Sequence, residues 1–97
     1  MDKVKVRLFG FASTTPGQHS AEIEIPSGYV IHDFLRFLSG IYGEAYEEEV
    51  FAQDTDGIRD DLSVIINGVI TEHSRLRSIS VKDGDDIMLL PIFPGGG

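Results

Sequence analysis

The chain contains no cysteine and no tryptophan, and its basic residues are few. Without a thiol, disulfides, cysteine nucleophiles and cysteine-ligated metal sites are excluded. Eight Lys and Arg residues stand against sixteen Asp and Glu residues, which gives a net charge of −8. Nucleic-acid binding is therefore disfavoured, because basic side chains that neutralise phosphates supply most of that affinity. The acidity is consistent with a basic protein partner, or simply with a well-solvated surface.

Long apolar runs are also absent. No run approaches the roughly 20 residues that a membrane helix needs, and residues 1–4 lack the pattern of a signal peptide. We therefore expect a cytoplasmic protein that does not bind a membrane. The length of 97 residues suits one domain with a single modest core. We expect a folded domain over residues 1–92 and a flexible glycine-rich tail over residues 93–97.

Two segments near the N-terminus alternate between apolar and charged side chains. Residues 3–8 alternate basic and apolar, and residues 21–25 alternate apolar and acidic. A period of two is typical of a half-buried strand. The polar stretch between them, residues 13–20, predicts a loop, so the two strands form a hairpin. The basic outer face of one strand then lies across from the acidic outer face of the other.

After residues 26–28 the period changes to that of a helix. The apolar residues recur at positions i, i+3, i+4, i+7, i+10 and i+11, which predicts one buried stripe of an amphipathic helix. Val30 is a poor N-cap, Gly43 is a plausible stop, and His32 lies off the stripe. The predicted stripe consists of Ile31, Phe34, Leu35, Leu38, Ile41 and Tyr42.

The rest of the chain reads as a short helix followed by three strands. Eight of the sixteen acids fall in residues 44–61, where a short helix carries Tyr46 and Val50. Residues 62–66 are a nearly continuous apolar run, typical of a strand covered on at least one face. Asn67-Gly68 predicts a tight hairpin turn into a short return strand, and residues 87–90 form the last strand. The segregated order predicts an α+β fold in which a mixed sheet packs on one main helix.

No metal site is expected. His19, His32 and His73 fit no metal-ligand spacing and are interpreted as surface or helix-flank residues. The acidic segment 54–57 resembles part of a calcium loop. With Gly57 at its sixth position, however, the first and twelfth positions cannot supply carboxylates, so a turn is the better interpretation.

The C-terminus carries the strongest functional signal. Three glycines follow Pro94 and leave one reactive group, the α-carboxylate of Gly97. Glycine has no Cβ atom, so such a tail can enter a narrow slot in another protein. A carboxylate is inert until it is activated as an acyl-phosphate or acyl-adenylate, which indicates a partner that performs the activation. The alternative is an unstructured terminus or an expression-vector remnant.

Three short motifs accompany this order of helices and strands. They are residues 4–12 (VKVRLFGFA), Asn67-Gly68, and residues 83–87 (DGDDI) before the last strand. Together with the glycine tail, the chain resembles the small subunit of molybdopterin synthase (the MoaD family) and its archaeal small-modifier relatives. The resemblance covers essentially the whole chain and implies the ubiquitin-like β-grasp fold. The family usually ends in a phenylalanine, two prolines, a small apolar pair and two glycines. Here residues 92–94 and three glycines follow Pro91 instead.

The resemblance implies a sulfur carrier that is not catalytic alone and holds no resident cofactor. A ubiquitin-activating-type adenylyltransferase (MoeB-like) would thread Pro94, Gly95 and Gly96 into its site and use ATP to adenylate Gly97. A persulfide donor would then convert Gly97 to a thiocarboxylate. The large subunit of molybdopterin synthase (MoaE-like) would receive the tail and pass its sulfur to the molybdopterin precursor. Alternatively, Gly97 would be joined to target-protein lysines, as in a ubiquitin-like modifier, or would supply sulfur for tRNA or thiazole thiolation.

The last strand also predicts a partner surface. If alternate residues from Ile87 face the core, Met88 and Leu90 face outward beside the tail, and Phe93 is a further candidate anchor. Exposed apolar groups in that position suggest a protein-binding surface. The alternative is that they lie under the longer acidic segment or simply make crystal or solvent contacts.

Overall fold

The structure is a computed structural model, and it describes residues 1–9, 18–52 and 57–91. In these ranges five strands form one sheet in the order β2-β1-β5-β3-β4. The parallel β1–β5 pair lies at the centre, and the other pairs are antiparallel. The strands are β1 (Asp2–Phe9), β2 (Gln18–Ile25), β3 (Leu62–Ile66), β4 (Val69–Thr71) and β5 (Asp86–Pro91).

Three short helices and a 3₁₀ turn cover one face of this sheet. They are α1 (Ile31–Phe37), α2 (Ser39–Tyr42), α3 (Glu44–Val50) and the 3₁₀ turn His73–Arg75. Val30 occupies the N-cap of α1 without a side-chain hydrogen bond, as its poor capping character predicts. Gly43 ends α2 with φ at 92°, a conformation that favours glycine. No helix within the described ranges is long and apolar enough to span a membrane.

The core lies between the helical layer and the inner face of the sheet. Alternation along β1 and β5 supplies the sheet side, because every second residue of a strand points to the same face. The predicted helix stripe supplies the other side with Ile31, Phe34, Leu35 and Leu38, which are all fully buried. The fully buried sheet residues are Val4, Val6, Leu8, Ile25, Val64, Ile87 and Leu89.

Three details correct the sequence prediction. The helix is interrupted at Leu38, so α2 does not continue the α1 stripe; Ile41 is 49% exposed and Tyr42 half-buried. His32 is buried rather than on the surface, because the Phe51 ring packs edge-on against it with 5.8 Å between centroids. Strand β2 also begins earlier than predicted, at Gln18 rather than at Ala21.

The short acidic helix α3 is tied to α1 by polar contacts. The buried Tyr46 hydroxyl donates to the Leu35 carbonyl at 2.8 Å. Arg36 bonds to Glu47 at 2.5 Å and lies over the Phe51 ring, 3.7 Å from its centroid. The helix predicted for this segment is therefore confirmed, and it packs beside α1 rather than over the outer face of the sheet.

Candidate partner-binding face and C-terminal site

The predicted site residues divide into two groups. Met88 and Leu90 lie on β5, whereas the described residues end at Pro91. Phe93 and the whole predicted tail, Pro94, Gly95, Gly96 and Gly97, therefore lie outside the described residues, as does the predicted domain boundary after residue 92. What the structure does describe is the surface from which the tail begins.

The outer face of β5 is apolar, as the alternation predicts. Ile87 and Leu89 are fully buried on the core side, while Met88 is half-buried and Leu90 is 39% exposed on the other side. No helix of the described ranges covers this side. The alternative that Met88 and Leu90 lie under the acidic segment does not hold for α3, because α3 packs against α1.

The strand register adds two residues that sequence analysis missed. Met88 lies opposite Ile65 on β3, and Ile65 lies opposite Ile70 on β4. Directly opposed residues of antiparallel strands share a face. Ile70 is 74% exposed and Ile65 half-buried. We call Ile65, Ile70, Met88 and Leu90 the apolar outer face.

The other half of the outer surface is charged. The β1–β2 register places Lys3 opposite Glu24 and Lys5 opposite Glu22, which confirms the predicted pairing of basic and acidic faces. We call this half the charged outer face. Clustered exposed apolar side chains beside a charged surface are typical of a protein–protein contact.

An ion pair marks the boundary between the two halves. Arg7 lies beside Met88 in the β1–β5 register, and its Nη2 donates to Asp86 Oδ2 at 2.6 Å. Both side chains are about one-third exposed, at 32% each. The Arg7 Nε atom is out of contact with solvent and has no hydrogen-bond partner within the described residues.

A hydrogen-bonded turn fixes the start of β5 and with it the position of Met88 and Leu90. Asn67 has φ at 51° and Gly68 at 83°, as a tight hairpin turn requires. Asn67 Nδ2 donates to Asp85 Oδ1 at 3.0 Å, and the Asp86 amide donates to Asn67 Oδ1 at 2.9 Å. The buried Asp85 carboxylate also accepts the Lys82 amide at 2.8 Å. The predicted Asn67-Gly68 turn is thus confirmed. The Asn67 side chain joins this turn to the start of β5.

The apolar outer face lies where β5 leads into the tail. Leu90 immediately precedes Pro91, which is paired with Leu62 of β3. Six residues separate Pro91 from the C-terminus and span at most about 22 Å when fully extended. Within the described ranges, no group of His, Asp and Glu side chains is arranged to hold a metal ion.

The family model described as the ThiS family matches residues 6–96. The chain belongs to the ThiS family. The match runs from β1 through β5 into the glycine tail, and the ubiquitin-like β-grasp fold expected from the sequence is confirmed by solved structures. No sequence among curated proteins matches the chain significantly.

Small archaeal modifier protein 1 from Haloferax volcanii aligns with a TM-score of 0.74 at 23% identity, over 97% of this chain and 99% of that one. At that identity the likeness shows the fold alone. The same-named protein from Methanosarcina acetivorans aligns with a TM-score of 0.67 at 26% identity, over 99% and 98%. A putative molybdopterin converting factor, subunit 1, from Pyrococcus furiosus aligns with a TM-score of 0.65 at 26% identity, over 96% and 100%. This ThiS-family chain is thus of the ubiquitin-fold type that includes sulfur carriers and modifiers.

Proposed function

We propose that the chain is a sulfur carrier for molybdopterin biosynthesis and that the transferred sulfur is held on Gly97. The observation that carries this proposal is the position of the apolar outer face, which ends at Leu90 directly before the segment that leads to Gly97. The ThiS-family match through residue 96 supports it. The similarity to the putative molybdopterin converting factor subunit supports the pathway.

The chemistry needs two activation steps. An oxygen of the Gly97 carboxylate attacks the α-phosphorus of ATP on the partner enzyme, pyrophosphate leaves, and an acyl-adenylate forms. A persulfide sulfur then attacks the acyl carbon and expels AMP, and a thiol cleaves the resulting acyl disulfide to release the thiocarboxylate. The thiocarboxylate is a soft nucleophile at neutral pH, and the tail holds it in the partner's site at high effective concentration.

The chain's own contribution is binding and delivery. The adenylyltransferase of the ubiquitin-activating type would dock on the apolar outer face, with Met88 and Leu90 at its centre and Phe93 as an additional anchor. The large subunit of molybdopterin synthase would afterwards receive the same tail. Pro94, Gly95 and Gly96 present bare or nearly bare backbone to a narrow channel, which a larger side chain would obstruct.

A second candidate is a protein modifier, favoured by the 26% identity to the small archaeal modifier protein 1 of Methanosarcina acetivorans over nearly the full chain. The same acyl-adenylate would then end in an amide with a target lysine. The two functions share the activation step and differ in the final acceptor. They are therefore separated by the product, either a thiocarboxylate or a conjugate of higher mass.

Removal of the last two residues tests the shared step. Deleting Gly96 and Gly97 should reduce ATP–pyrophosphate exchange by the activating enzyme to background and leave thermal unfolding unchanged. Gly96→Ala should also slow exchange, since its methyl group would widen the chain in the channel. Gly40→Ala is the matched control, because a Cβ atom there meets nothing within 4 Å. A truncated chain that still acquires sulfur would contradict the proposal.

A further inference from the structure

The two edge strands of the sheet differ in charge. Within the described ranges, β2 lies at one edge of the sheet and β4 at the other. Strand β2 carries the exposed Glu22 and Glu24, and charged side chains commonly protect a sheet edge against the addition of further strands. Strand β4 consists of Val69, Ile70 and Thr71 and carries no charged side chain. The edge at β4 therefore lacks this protection.

The backbone groups of Ile70 point away from β3. The two-residue turn between β3 and β4 closes with a hydrogen bond from the Val69 amide to the Ile66 carbonyl, as in a β-turn, so Ile66 and Val69 form a hydrogen-bonded pair. Hydrogen-bonded and non-hydrogen-bonded pairs alternate along antiparallel strands. Ile70 lies opposite Ile65 in the next pair, and that pair is therefore a non-hydrogen-bonded one.

The pairing of β3 with β5 gives the same result. The Asn67 amide donates to the Asp86 carbonyl at 2.7 Å, which makes these two residues a hydrogen-bonded pair. Two positions earlier on β3, Ile65 lies opposite Met88 in the next hydrogen-bonded pair. The backbone groups of Ile65 thus point toward β5 and not toward β4. Within the described part of the sheet, the N–H and C=O of Ile70 lie along an open edge.

Apolar side chains are exposed on both faces of this edge. Ile70 is 74% exposed on the outer face, and Val69 is 63% exposed on the opposite face, since neighbouring residues of a strand point to opposite faces. A partner lying only on the apolar outer face would cover Ile70 and leave Val69 exposed. A strand added beside β4 would cover both, because its own side chains alternate between the two faces.

We propose that the activating enzyme adds an extended segment to the free edge of β4, with apolar side chains beside Val69 and Ile70. This inference rests on the proposed function. The Ile70 N–H would donate to a carbonyl of that segment, and the Ile70 C=O would accept from one of its amides. In such strand addition the main-chain hydrogen bonds supply affinity and the side chains supply specificity.

A second copy of this chain is a poorer occupant of the edge. Pairing through the three residues of β4 is far smaller than a standard stable interface, which involves about 20–30 residues on each side. The edge therefore suits a partner that already makes a larger contact. Ile70 belongs both to the edge and to the apolar outer face, so one partner can cover the two surfaces without a gap between them.

The added strand would set the orientation of the partner. Apolar contact is non-directional, whereas a hydrogen bond requires a defined distance and angle. Strands β4 and β5 both flank β3, so a partner aligned along β4 is also aligned relative to β5. The described part of β5 ends at Pro91, and the edge would thus align the partner with the segment that leads to Gly97.

Amide hydrogen exchange, followed by NMR on the labelled chain with and without the unlabelled activating enzyme, tests the added strand. The Ile70 amide should exchange at least about tenfold more slowly in the complex, because it becomes hydrogen-bonded there. The Glu22 amide is the matched control on the other edge. The Lys5 amide donates to the Asp85 carbonyl at 2.9 Å, so the backbone groups of Lys5 point toward β5. Those of Glu22, opposite Lys5, then point away from β1.

The exchange rate of the Glu22 amide should change by about twofold or less, since no strand is added beside β2. An Ile70 amide that exchanges as fast in the complex as in the free chain would overturn the added strand and limit docking to the face. Equal slowing at Ile70 and Glu22 would overturn it as a general effect of the complex. Slow exchange at Ile70 in the free chain, rising with its concentration, would assign the edge to a second copy.

A pair of variants tests the Ile70 N–H by titration calorimetry. Ile70→Pro removes this donor without removing a hydrogen bond between β3 and β4, and edge strands tolerate proline. Its Kd for the activating enzyme should be about threefold or more above that of Ile70→Ala, which shortens the side chain and keeps the N–H. Protected amides at Val69 and Thr71 establish that the hairpin is intact. Equal Kd values for two folded variants would overturn the proposal, and if Ile70→Pro does not fold, the wild-type hydrogen exchange decides.

Failure of the proposed function looks different. The wild-type chain would then support no ATP–pyrophosphate exchange by the activating enzyme, and the added strand would fall with the proposed function. ATP–pyrophosphate exchange by the wild type, together with an Ile70 amide that is not slowed in the complex, overturns the added strand alone.

Discussion

Phe34 is fully buried between the helical layer and the sheet, so truncating its side chain should destabilise the whole fold. Phe34→Ala should lower the free energy of unfolding by about 3–5 kcal/mol through lost burial and a residual cavity. Leu38→Ala, on the same stripe, should lower it by about 2–5 kcal/mol. Phe37→Ala is the matched control on the same helix and should cost less, because Phe37 is only partly buried. Equal urea midpoints for Phe34→Ala and wild type would contradict the packing.

The ionisation of Tyr46 should make the free energy of unfolding depend on pH. Burial raises the pKa of its hydroxyl, with a further increase from Tyr42 and a decrease from Arg36. Above about pH 10 tyrosine ionises in the unfolded chain, so the unfolded chain binds fewer protons than the folded one. The free energy of unfolding must then fall as pH rises through the ionisation of this tyrosine. The Tyr46→Phe variant has no phenol to ionise, so its free energy of unfolding should lack this contribution.

At pH 7 Tyr46→Phe should be less stable than wild type by about 1 kcal/mol, the typical value of one hydrogen bond. The difference should shrink above about pH 10 and reverse by about pH 11, since one ionisation contributes up to about 1.4 kcal/mol per pH unit. Chemical denaturation at a series of pH values measures it. Parallel stability curves for the two proteins would show that the phenol ionises equally in both states.

Among the elements, β5 has two different sides: Ile87 and Leu89 are buried in the core, and Met88 and Leu90 lie on the side that we propose binds a partner. Leu90→Asp should leave the fold intact and weaken association with the activating enzyme, because a charge in an apolar contact must lose its water. Ile70→Asp should behave in the same way. Ile41→Asp is the control, since Ile41 is an exposed apolar residue of α2 on the helical layer.

An unfolded Leu90→Asp protein would assign Leu90 to the core. A folded protein with unchanged affinity would remove it from the interface. Equal weakening by Ile41→Asp would show that the contact extends beyond the apolar outer face.

The elements also show what sequence can and cannot predict here. Alternation identified β1 and β2 because each has one buried face, and the Asn67-Gly68 turn identified the β3–β4 hairpin because few residues tolerate its φ values. Ile65 was missed because residues 64–66 are all apolar, which hides the outward position until the register is known. The exposure of Ile41 and the burial of His32 depend on the break at Leu38 and on Phe51, a partner distant in sequence.

At the scale of the whole molecule, the proposed function assigns docking to the folded domain and the reaction to Gly97. The helical layer and the inner sheet face form the core, and the outer sheet face is the surface that we propose binds a partner. A net charge of −8 should speed association with a basic partner at low salt. The sequence predicts Gly97 as the reacting group and Met88 and Leu90 as an outward surface, whereas Ile65 and Ile70 needed the strand register.

The central claim is that Gly97 carries sulfur, and intact mass measures it directly. After incubation with ATP, a persulfide donor and the activating enzyme, the wild-type chain should gain about 16 Da, the difference between sulfur and oxygen. A chain with one residue appended after Gly97 should gain nothing, because its carboxylate is displaced by up to about 3.6 Å, well beyond the positional tolerance of about 1 Å for such a reaction. An unchanged wild-type mass, or the same gain in the extended chain, would contradict the account.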